Sequence, residues 1–270
     1  MTAVSKLVAN LRGVYRACGP GPALAYAATI AGTLPALART RTLVDADRRM
    51  ARRSWRFRTQ GVDVVLDGRL WSGAREMYGR AVYFPDENFL LRPDTVVVDL
   101  GANSGLFSLL AALRGCRVLA VEAQAGFVQE IAELVQRHGV SERVALEHAL
   151  VGANRGVLAA PGALERASHF RGQQPARLGL PELFARHAID AVDFLKCDIE
   201  GSEFELFGDA DDWLPKVRRI AMEVHCDFGA PGALSQMLEA HGFEVALRDN
   251  LSRRVRTLTE SSGYLFALRR

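Results

Sequence analysis

Two acidic residues have a type and spacing that suggest ligand binding. Each stands at the end of a strand-like segment, and the two segments follow one another along the chain. Asp99 ends the apolar run "VVVDL", and Gly101 and Gly105 follow it at the start of a helix-like pattern. Glu122 ends the next apolar run, "VLAVE". Glycines let a backbone pass close to a ligand because no Cβ stands in the way. An acid before them would repel a pyrophosphate, but it could attract an ammonium group or orient water around one.

The spacing of these residues narrows the choice of ligand. The segment "DLGANSG" lacks the G-x-G-x-x-G fingerprint of dinucleotide-binding proteins, which counts against a nicotinamide-dependent oxidoreductase. Glu122 is placed to accept both hydroxyls of a ribose. A ligand with a ribose and a cationic amino-acid end, but without a phosphate, is S-adenosylmethionine. A plain strand, turn and helix that binds no ligand is the structural alternative.

Ten residues are predicted to bind this cofactor. His148, at the end of the third predicted strand, is placed to flank the adenine, with simple surface exposure as the alternative. The full set is Asp99, Gly101, Ala102, Asn103, Ser104, Gly105, Glu122, Ala123, His148 and Asp198.

A second group of ionisable residues lies at the ends of the fourth and fifth predicted strands. His225 could remove a proton from a hydroxyl group, since its ordinary pKa is near neutrality. Glu223 shares a strand face with His225, and Lys196 shares one with Asp198, because side chains alternate along a strand. The predicted catalytic residues are Lys196, Asp198, Glu223 and His225.

Other roles for these acids and bases remain open. Lys196 and Asp198 could form a salt bridge, and Glu200 and Glu203 could simply stabilise the positive end of a helix dipole. Asp198 and Glu223 could instead hold Mg²⁺, which would bind the acceptor oxygen and lower its pKa. We favour the metal-free scheme, because two carboxylates alone make a sparse metal site.

Four motifs resemble the FkbM-type S-adenosylmethionine-dependent methyltransferases: "DLGANSG", "VEA", "DFLKCDIEGSEFELF" and "AMEVH". The resemblance covers residues 75–268, and "KCDIEGSE" is its most specific part. It implies an O-methyltransferase that acts on a hydroxyl or carboxylate of a small molecule or natural-product intermediate. Ala123 stands where a proline is common in the family. A non-catalytic nucleoside-binding module is the alternative from another functional class.

Alternating strand and helix patterns must position these residues. The predicted strands are 95–100, 117–121, 144–148, 192–197, 219–224, 243–246 and 264–268, and the predicted helices between them are 106–113, 126–137, 202–207 and 232–241. Such repeats predict a Rossmann-like, doubly wound, mostly parallel seven-stranded sheet. Residues 150–190 lack periodicity and are predicted to form an insertion or lid with one helix at 180–187.

The N-terminal part of the chain differs from the rest. Eight arginines lie between Arg39 and Arg58 on a helix-like pattern, which predicts a solvated helical face or a surface for an acidic partner or a membrane. The segment "VDVVLDGRLW" predicts a short hairpin or an edge strand, with Asp67-Gly68 as the turn. We therefore predict an arginine-rich helical extension at 1–60, an edge hairpin and lead-in at 61–93, and a methyltransferase domain at 94–270.

Composition sets limits on partners and location. The formal charge of +3 over 270 residues is too small to indicate nucleic-acid binding. Four cysteines without metal-type spacing predict reduced thiols and a cytoplasmic protein. The longest apolar stretch contains Pro22 and Pro35 and is too short for a spanning helix, so no stable membrane insertion is expected. A cleaved signal peptide is the less favoured alternative, and the oligomeric state is open, with a homodimer as one option.

Overall fold

The computed structural model describes residues 3–152 and 154–269. Contacts within the chain group it into two compact units, residues 1–82 and residues 83–270. The domain boundaries at residues 60 and 93 that we infer from the sequence remain predictions.

The first unit combines short helices with one hairpin. Its elements are α1 (Ala3–Cys18), α2 (Pro20–Ala31), α3 (Leu34–Thr40), α4 (Val44–Met50), β1 (Trp55–Thr59), β2 (Val62–Leu66), α5 (Trp71–Ala74) and a π-helix (Arg75–Arg80). Asp47 of α4 accepts hydrogen bonds from Tyr26 and Trp71 at 3.0 Å each and forms a buried ion pair with Arg75. These bonds satisfy a buried charge and hold α2, α4 and α5 together.

Two expectations for this unit need correction. The hairpin pairs β1 with β2 and turns at Gln60-Gly61, so the predicted hairpin at 62–71 is wrong. Asp67 instead accepts a bond from the Arg69 N–H and begins a 3₁₀ turn. The helical pattern over the arginine-rich segment also ends early, since β1 begins at Trp55. All eight of its arginines are exposed, as a solvated face requires.

The second unit is built on a nine-stranded sheet. Its strands are β3 (Val96–Leu100), β4 (Arg117–Glu122), β5 (Val144–Leu150), β6 (Ala176–Arg177), β7 (Phe194–Cys197), β8 (Arg219–His225), β9 (Phe243–Arg248), β10 (Arg254–Val255) and β11 (Ser262–Arg269). The order is β10-β9-β11-β8-β7-β3-β4-β5-β6, with β10 and β11 antiparallel to their neighbours. The predicted doubly wound, mostly parallel sheet of seven strands is confirmed, and the short strands β6 and β10 extend it at its two edges.

Helices cover the sheet and complete its core. They are α6 (Leu106–Leu113), α7 (Ala125–Arg137), α8 (Ala163–Arg166), α9 (Leu180–Arg186), α10 (Glu203–Leu206) and α11 (Pro231–Ala240). Fully buried Leu100, Leu195 and Met222 from three adjacent strands belong to one hydrophobic core. Strand order reverses beside β3, because β4 lies on one side of it and β7 on the other. Ligands in such sheets bind at the carboxyl ends of the strands near this switch point.

Within the described residues, no single helix is long and apolar enough to cross a membrane. The bent pair formed by α2 and α3 would suffice by length and composition.

Candidate active site

A groove lies at the carboxyl ends of β3, β4 and β5, beside the loop that follows β7. Its cavity volume is about 90 Å³, and the solvent-open space at its mouth brings the total to about 580 Å³. Five of the predicted cofactor residues line it: Gly101, Asn103, Glu122, Ala123 and Asp198. Gln124, Leu158, Ile199 and Glu200 also line the groove and were not predicted as cofactor residues. Gln124 adjoins the motif "VEA", and Ile199 and Glu200 lie within "DFLKCDIEGSEFELF". Leu158 lies in the aperiodic segment, where no sequence signal marks it.

Glu122 is held rigidly at this groove. Its two carboxylate oxygens accept main-chain hydrogen bonds from Asn103 at 2.8 Å and from Gln124 at 2.9 Å. Burial raises the pKa of Glu122, while the two N–H donors and the charge of Lys196 oppose that rise. Each oxygen keeps a further lone pair, so the carboxylate is preorganised to accept two ligand hydroxyls.

The glycine turn after β3 packs against protein atoms. A Cβ on Gly101, whose φ is +70°, would lie 1.8 Å from the Asp198 carbonyl oxygen. A Cβ on Gly105, whose φ is +77°, would lie 2.9 Å from Ile131 of α7. Gly101 is therefore required by the close approach of β3 and β7, a reason that the sequence-based interpretation did not include.

We expect Gly101→Ala to weaken cofactor binding at least tenfold, because the Asp198 carbonyl would have to move away from the groove wall. Gly139→Ala is the matched control, since Gly139 has a φ of +68° and a Cβ added there would meet no atom within 4 Å. Calorimetric titration measures the cofactor affinity of both variants, and circular dichroism checks that they fold. Both variants place a Cβ at a positive φ, which costs about 1–2 kcal/mol, but only the Gly101 variant adds the steric clash. Equal losses of affinity in the two variants would show that the clash is unimportant.

Asp99 and Lys196 form a buried ion pair. Lys196 Nζ lies 3.0 Å from Asp99 Oδ1, and the two side chains are 3% and 0% exposed. Lys196 also donates to the carbonyl oxygens of Leu100 and Gly101, and Ser108 donates to Asp99 at 2.6 Å. Lys196 thus pairs with Asp99, whereas the sequence analysis considered a salt bridge between Lys196 and Asp198. Neither residue lines the described groove. The ligand role predicted for Asp99 and the catalytic role predicted for Lys196 stay predictions.

Four further predicted cofactor residues lie outside the groove lining. Ser104 follows Asn103, whose φ is +51° and whose Oδ1 accepts the Ser104 N–H at 2.7 Å. His148 pairs with Glu122 across β4 and β5, and its Nε2 lies 3.1 Å from the Ala123 carbonyl oxygen. Ala149, Leu150 and Val151 line that wall in place of His148. The residues outside the described lining are Ala102, Ser104, Gly105 and His148, in addition to Asp99.

A cluster of acids surrounds His225 at the end of β8. The buried Glu203 carboxylate lies 3.0 Å from His225 Nδ1 and accepts the His225 main-chain N–H at 2.6 Å. On its other side, His225 Nε2 lies 3.4 Å from Glu200. Glu203 also accepts the Gly201 N–H at 2.8 Å, which fixes its carboxylate. Nδ1 is therefore directed to Glu203, and Nε2 is the ring nitrogen on the side of Glu200.

These acids set the proton affinity of His225. Burial alone would lower the pKa of His225, but the hydrogen bond and charge of Glu203, with the charges of Asp198 and Glu223, raise it to about 9. At neutral pH the imidazole is consequently protonated in most molecules. The surrounding carboxylates thus stabilise the positive charge of the protonated imidazole.

Asp198 links this cluster to the groove. Its Oδ2 accepts the Tyr83 hydroxyl at 2.9 Å, and the Tyr83 ring makes edge contacts with Phe107 and Tyr264. Burial, followed by the charges of Asp198 and Glu223, raises the pKa of Tyr83 well above its ordinary value, so its hydroxyl stays a donor. Tyr83 thus contacts Asp198, and Glu203 contacts His225; the sequence prediction included neither residue in the site.

The arrangement of possible metal ligands differs from the predicted pair. Among the described residues, Asp198, Glu200 and His225 each offer a ligand atom within 4.8 Å of the others. Of the predicted pair, Asp198 belongs to this group and Glu223 does not, although the charge of Glu223 raises the pKa of His225. Metal binding by Asp198 and Glu223 stays a prediction. Two carboxylates and an imidazole form a more complete donor set than two carboxylates alone.

Known proteins share these features in sequence. Residues 99–265 match the family described as the Methyltransferase FkbM domain. The 31-O-demethyl-FK506 methyltransferase FkbM of Streptomyces tacrolimicus is 31% identical over 239 residues, which span 68% of this chain and 90% of that protein. The AMB antimetabolite synthetase AmbE of Pseudomonas aeruginosa is 27% identical over 227 residues, but the match spans 65% of this chain and only 11% of the synthetase.

A solved structure gives a weaker likeness. Precorrin-6y C5,15-methyltransferase from Geobacter metallireducens GS-15 is 16% identical, covers 67% of this chain and 82% of its own, and has a TM-score of 0.40. The sequence matches show the family of this chain. The matched region runs from Asp99, at the glycine turn, to Leu265 in β11. This chain is a methyltransferase and belongs to the FkbM domain family.

Proposed function

We propose that this methyltransferase transfers the methyl group of S-adenosylmethionine to an oxygen of a small molecule, either a hydroxyl or a carboxylate. The observation that carries the proposal is His225, whose Nδ1 is oriented by Glu203 and which has a ring nitrogen within 4.8 Å of a carboxylate oxygen of Asp198, a residue of the groove wall. The name of the Streptomyces relative, a 31-O-demethyl-FK506 methyltransferase, supports an oxygen acceptor.

The groove residues fit the cofactor chemically. Glu122 offers a fixed carboxylate to ribose hydroxyls, and Ala149, Leu150 and Val151 form an apolar wall suited to an adenine ring. Asp198 and Glu200 place negative charge where a cationic amino-acid end or sulfonium would be stabilised. When bound, the cofactor supplies a methyl group that its sulfonium already makes electrophilic.

The chain's own residues then have a limited task. They must hold the acceptor oxygen in line with the methyl group and remove its proton. His225 Nε2 accepts that proton when the imidazole is neutral, while Glu203 holds Nδ1 and stabilises the imidazolium that forms. Tyr83 fixes Asp198 beside this base. A carboxylate acceptor would arrive without its proton and would need His225 less.

Cofactor identity provides the direct test of the proposal. S-adenosylmethionine and S-adenosylhomocysteine are expected to bind in calorimetric titrations far more tightly than NAD. Transfer of a labelled methyl group to members of a panel of small alcohols and carboxylic acids tests catalysis. Equal or tighter NAD binding would favour an oxidoreductase-like pocket. Binding without turnover on every acceptor would favour a nucleoside-binding module.

Glu122→Ala should weaken S-adenosylmethionine binding by about 1.5–3 kcal/mol, because ribose hydroxyls would lose a charged acceptor. Glu142→Ala, at an exposed glutamate of the same unit, is the matched control and should bind normally. Unchanged affinity of the Glu122 variant, measured by calorimetric titration, would place the ribose elsewhere.

A metal-assisted scheme is the alternative, and chelation distinguishes the two. Asp198, Glu200 and His225 would hold Mg²⁺ or a similar cation, which would lower the pKa of the acceptor hydroxyl. We expect activity to survive EDTA, because a histidine base needs no ion. Loss of activity on chelation, with recovery on adding Mg²⁺, would replace the metal-free scheme by the metal-assisted one.

Partners and location follow as proposals from the same chemistry. We predict that the acceptor is a small molecule and that the protein does not bind nucleic acid. We also predict a cytoplasmic location, with a homodimer as one option for the oligomeric state.

A further inference from the structure

A second cavity of the 83–270 unit lies on one face of the sheet, over β9 and β11. Its volume is about 430 Å³, and its floor includes Ala246, Phe266 and Leu268, which share a face by strand register. Arg219 begins β8 and Glu244 lies at the start of β9, so the cavity reaches the edge where these strands begin. Glu122 and His225 end their strands at the opposite edge. Among the described residues, no residue lines both this cavity and the cofactor groove.

The lining of this cavity is strongly basic. Its only described acids are Asp86 and Glu244, so the formal charge of the lining is about +4, since arginine keeps its charge in proteins. The basic residues are Arg92, Arg218, Arg219, Arg248, Arg254 and Arg269.

Main-chain carbonyls hold the more buried of these arginines. Arg219 is 4% exposed and donates to the carbonyl oxygens of Asn88, Leu90 and Asp193 at 2.7–3.0 Å. Arg269 donates to the carbonyls of Pro215 and Leu214, and Arg248 donates to that of Ser252. A carbonyl fixes a guanidinium but brings no full negative charge, so the positive potential of the cavity is preserved.

Like charges act on Arg219 as well. Burial, followed by the positive charges of Arg92 and Arg218, lowers the pKa of Arg219, while Asp193 opposes this change. An anion in the cavity would relieve the repulsion among these groups. The exposed side chains of Arg92, Arg218 and Arg254 leave the cavity open to such a ligand.

We propose that this cavity binds a small phosphorylated compound with at least two negative charges. Planar guanidinium groups bind phosphate oxygens in pairs, and several of them around one pocket match a polyanion better than a single carboxylate. Phe266 and Ala246 offer an apolar surface for the carbon body of the ligand. The volume lies within the range of small-molecule sites, about 300–1,000 Å³. The site is independent of methyl transfer, so its occupant need be neither donor nor acceptor.

Inorganic pyrophosphate is the first probe, because it lacks a ribose and so should not enter the cofactor groove. Calorimetric titration of the full chain at about 0.15 M salt should give a Kd below about 1 mM. Arg92→Gln/Arg254→Gln should weaken binding at least tenfold, since it removes two exposed positive charges of the lining. Arg137→Gln/Arg143→Gln removes two exposed arginines outside the cavity and should bind pyrophosphate normally.

Citrate, a polyanion without phosphate, tests the chemical class and should bind at least fivefold more weakly. Equal citrate affinity would overturn the assignment to phosphorylated compounds. Equal weakening in both double variants, or no pyrophosphate binding, would overturn the site itself. S-adenosylmethionine affinity should be normal in both double variants, so a failure of this proposal remains distinct from a failure of the proposed methyl transfer.

Discussion

His225→Ala is expected to lower kcat/KM for methyl transfer to a hydroxyl acceptor by about 10²–10⁴-fold, the usual contribution of a positioned general base. Affinity for S-adenosylmethionine should change little, because His225 does not line the described cofactor groove. His241→Ala is the matched control, since His241 lies at the end of α11 in an ion pair with the exposed Asp211. Near-normal turnover of the His225 variant would exclude it as the base.

The pH profile gives a readout that a purely structural histidine would not produce. The pKa of His225 is about 9, so its neutral, proton-accepting form is a minor species at pH 7. For the wild-type protein, kcat/KM should therefore rise about tenfold per pH unit through neutrality and level off near pH 9, because kcat/KM reports the free enzyme. A profile that is flat over this range would contradict proton removal by His225.

Glu203→Gln tests the cause of the raised pKa. Glu203 supplies both a hydrogen bond and the nearest charge to His225, and each raises the pKa of the imidazole. With the charge removed, the inflection of the pH profile should move to lower pH. The maximum rate should also fall, because the amide stabilises the imidazolium less well. An unchanged inflection would show that Glu203 does not control the protonation of His225.

The sequence predicted the frame of this site because its signals are local. Continuous apolar runs marked β3 and β4, and the glycine turn marked the start of α6. The position of Glu122 at a groove could be inferred because the strand end and the ligand-binding edge coincide in parallel sheets.

Contacts between distant segments explain what the sequence did not show. Asp99 and Glu122 look alike in sequence, but register pairs Asp99 with Lys196 across β3 and β7, which buries its charge. Glu203 meets His225 only because α10 follows β7 and packs beside the end of β8. The Asp67-Gly68 dipeptide is a strong local hairpin signal, yet the chain turns at Gln60-Gly61 and uses Asp67 as a cap. A local sequence pattern does not show which of several possible residue pairings or turns the folded chain adopts.

Lys196→Met should be the most destabilising single change considered for this chain, at about 3–5 kcal/mol, because it strands a buried charge on Asp99. Burial would lower the pKa of Lys196, but the charges of Asp99 and Asp198 hold it above its ordinary value, so the amine remains a cation. Its Nζ also anchors the Gly101 carbonyl at 2.7 Å. Cofactor affinity should consequently fall together with stability.

Urea unfolding of three variants separates the free-energy cost of the unpaired buried charge from the cost of lost side-chain packing. Lys216→Met, at an exposed lysine, should stay within about 0.5 kcal/mol of the wild type. Asp99→Asn/Lys196→Met should be more stable than Lys196→Met alone, because the double variant no longer buries an unpaired carboxylate. A deficit below about 1 kcal/mol in the single variant, or a double variant no more stable than the single one, would mean that the Asp99–Lys196 pair is not what holds the glycine turn in place.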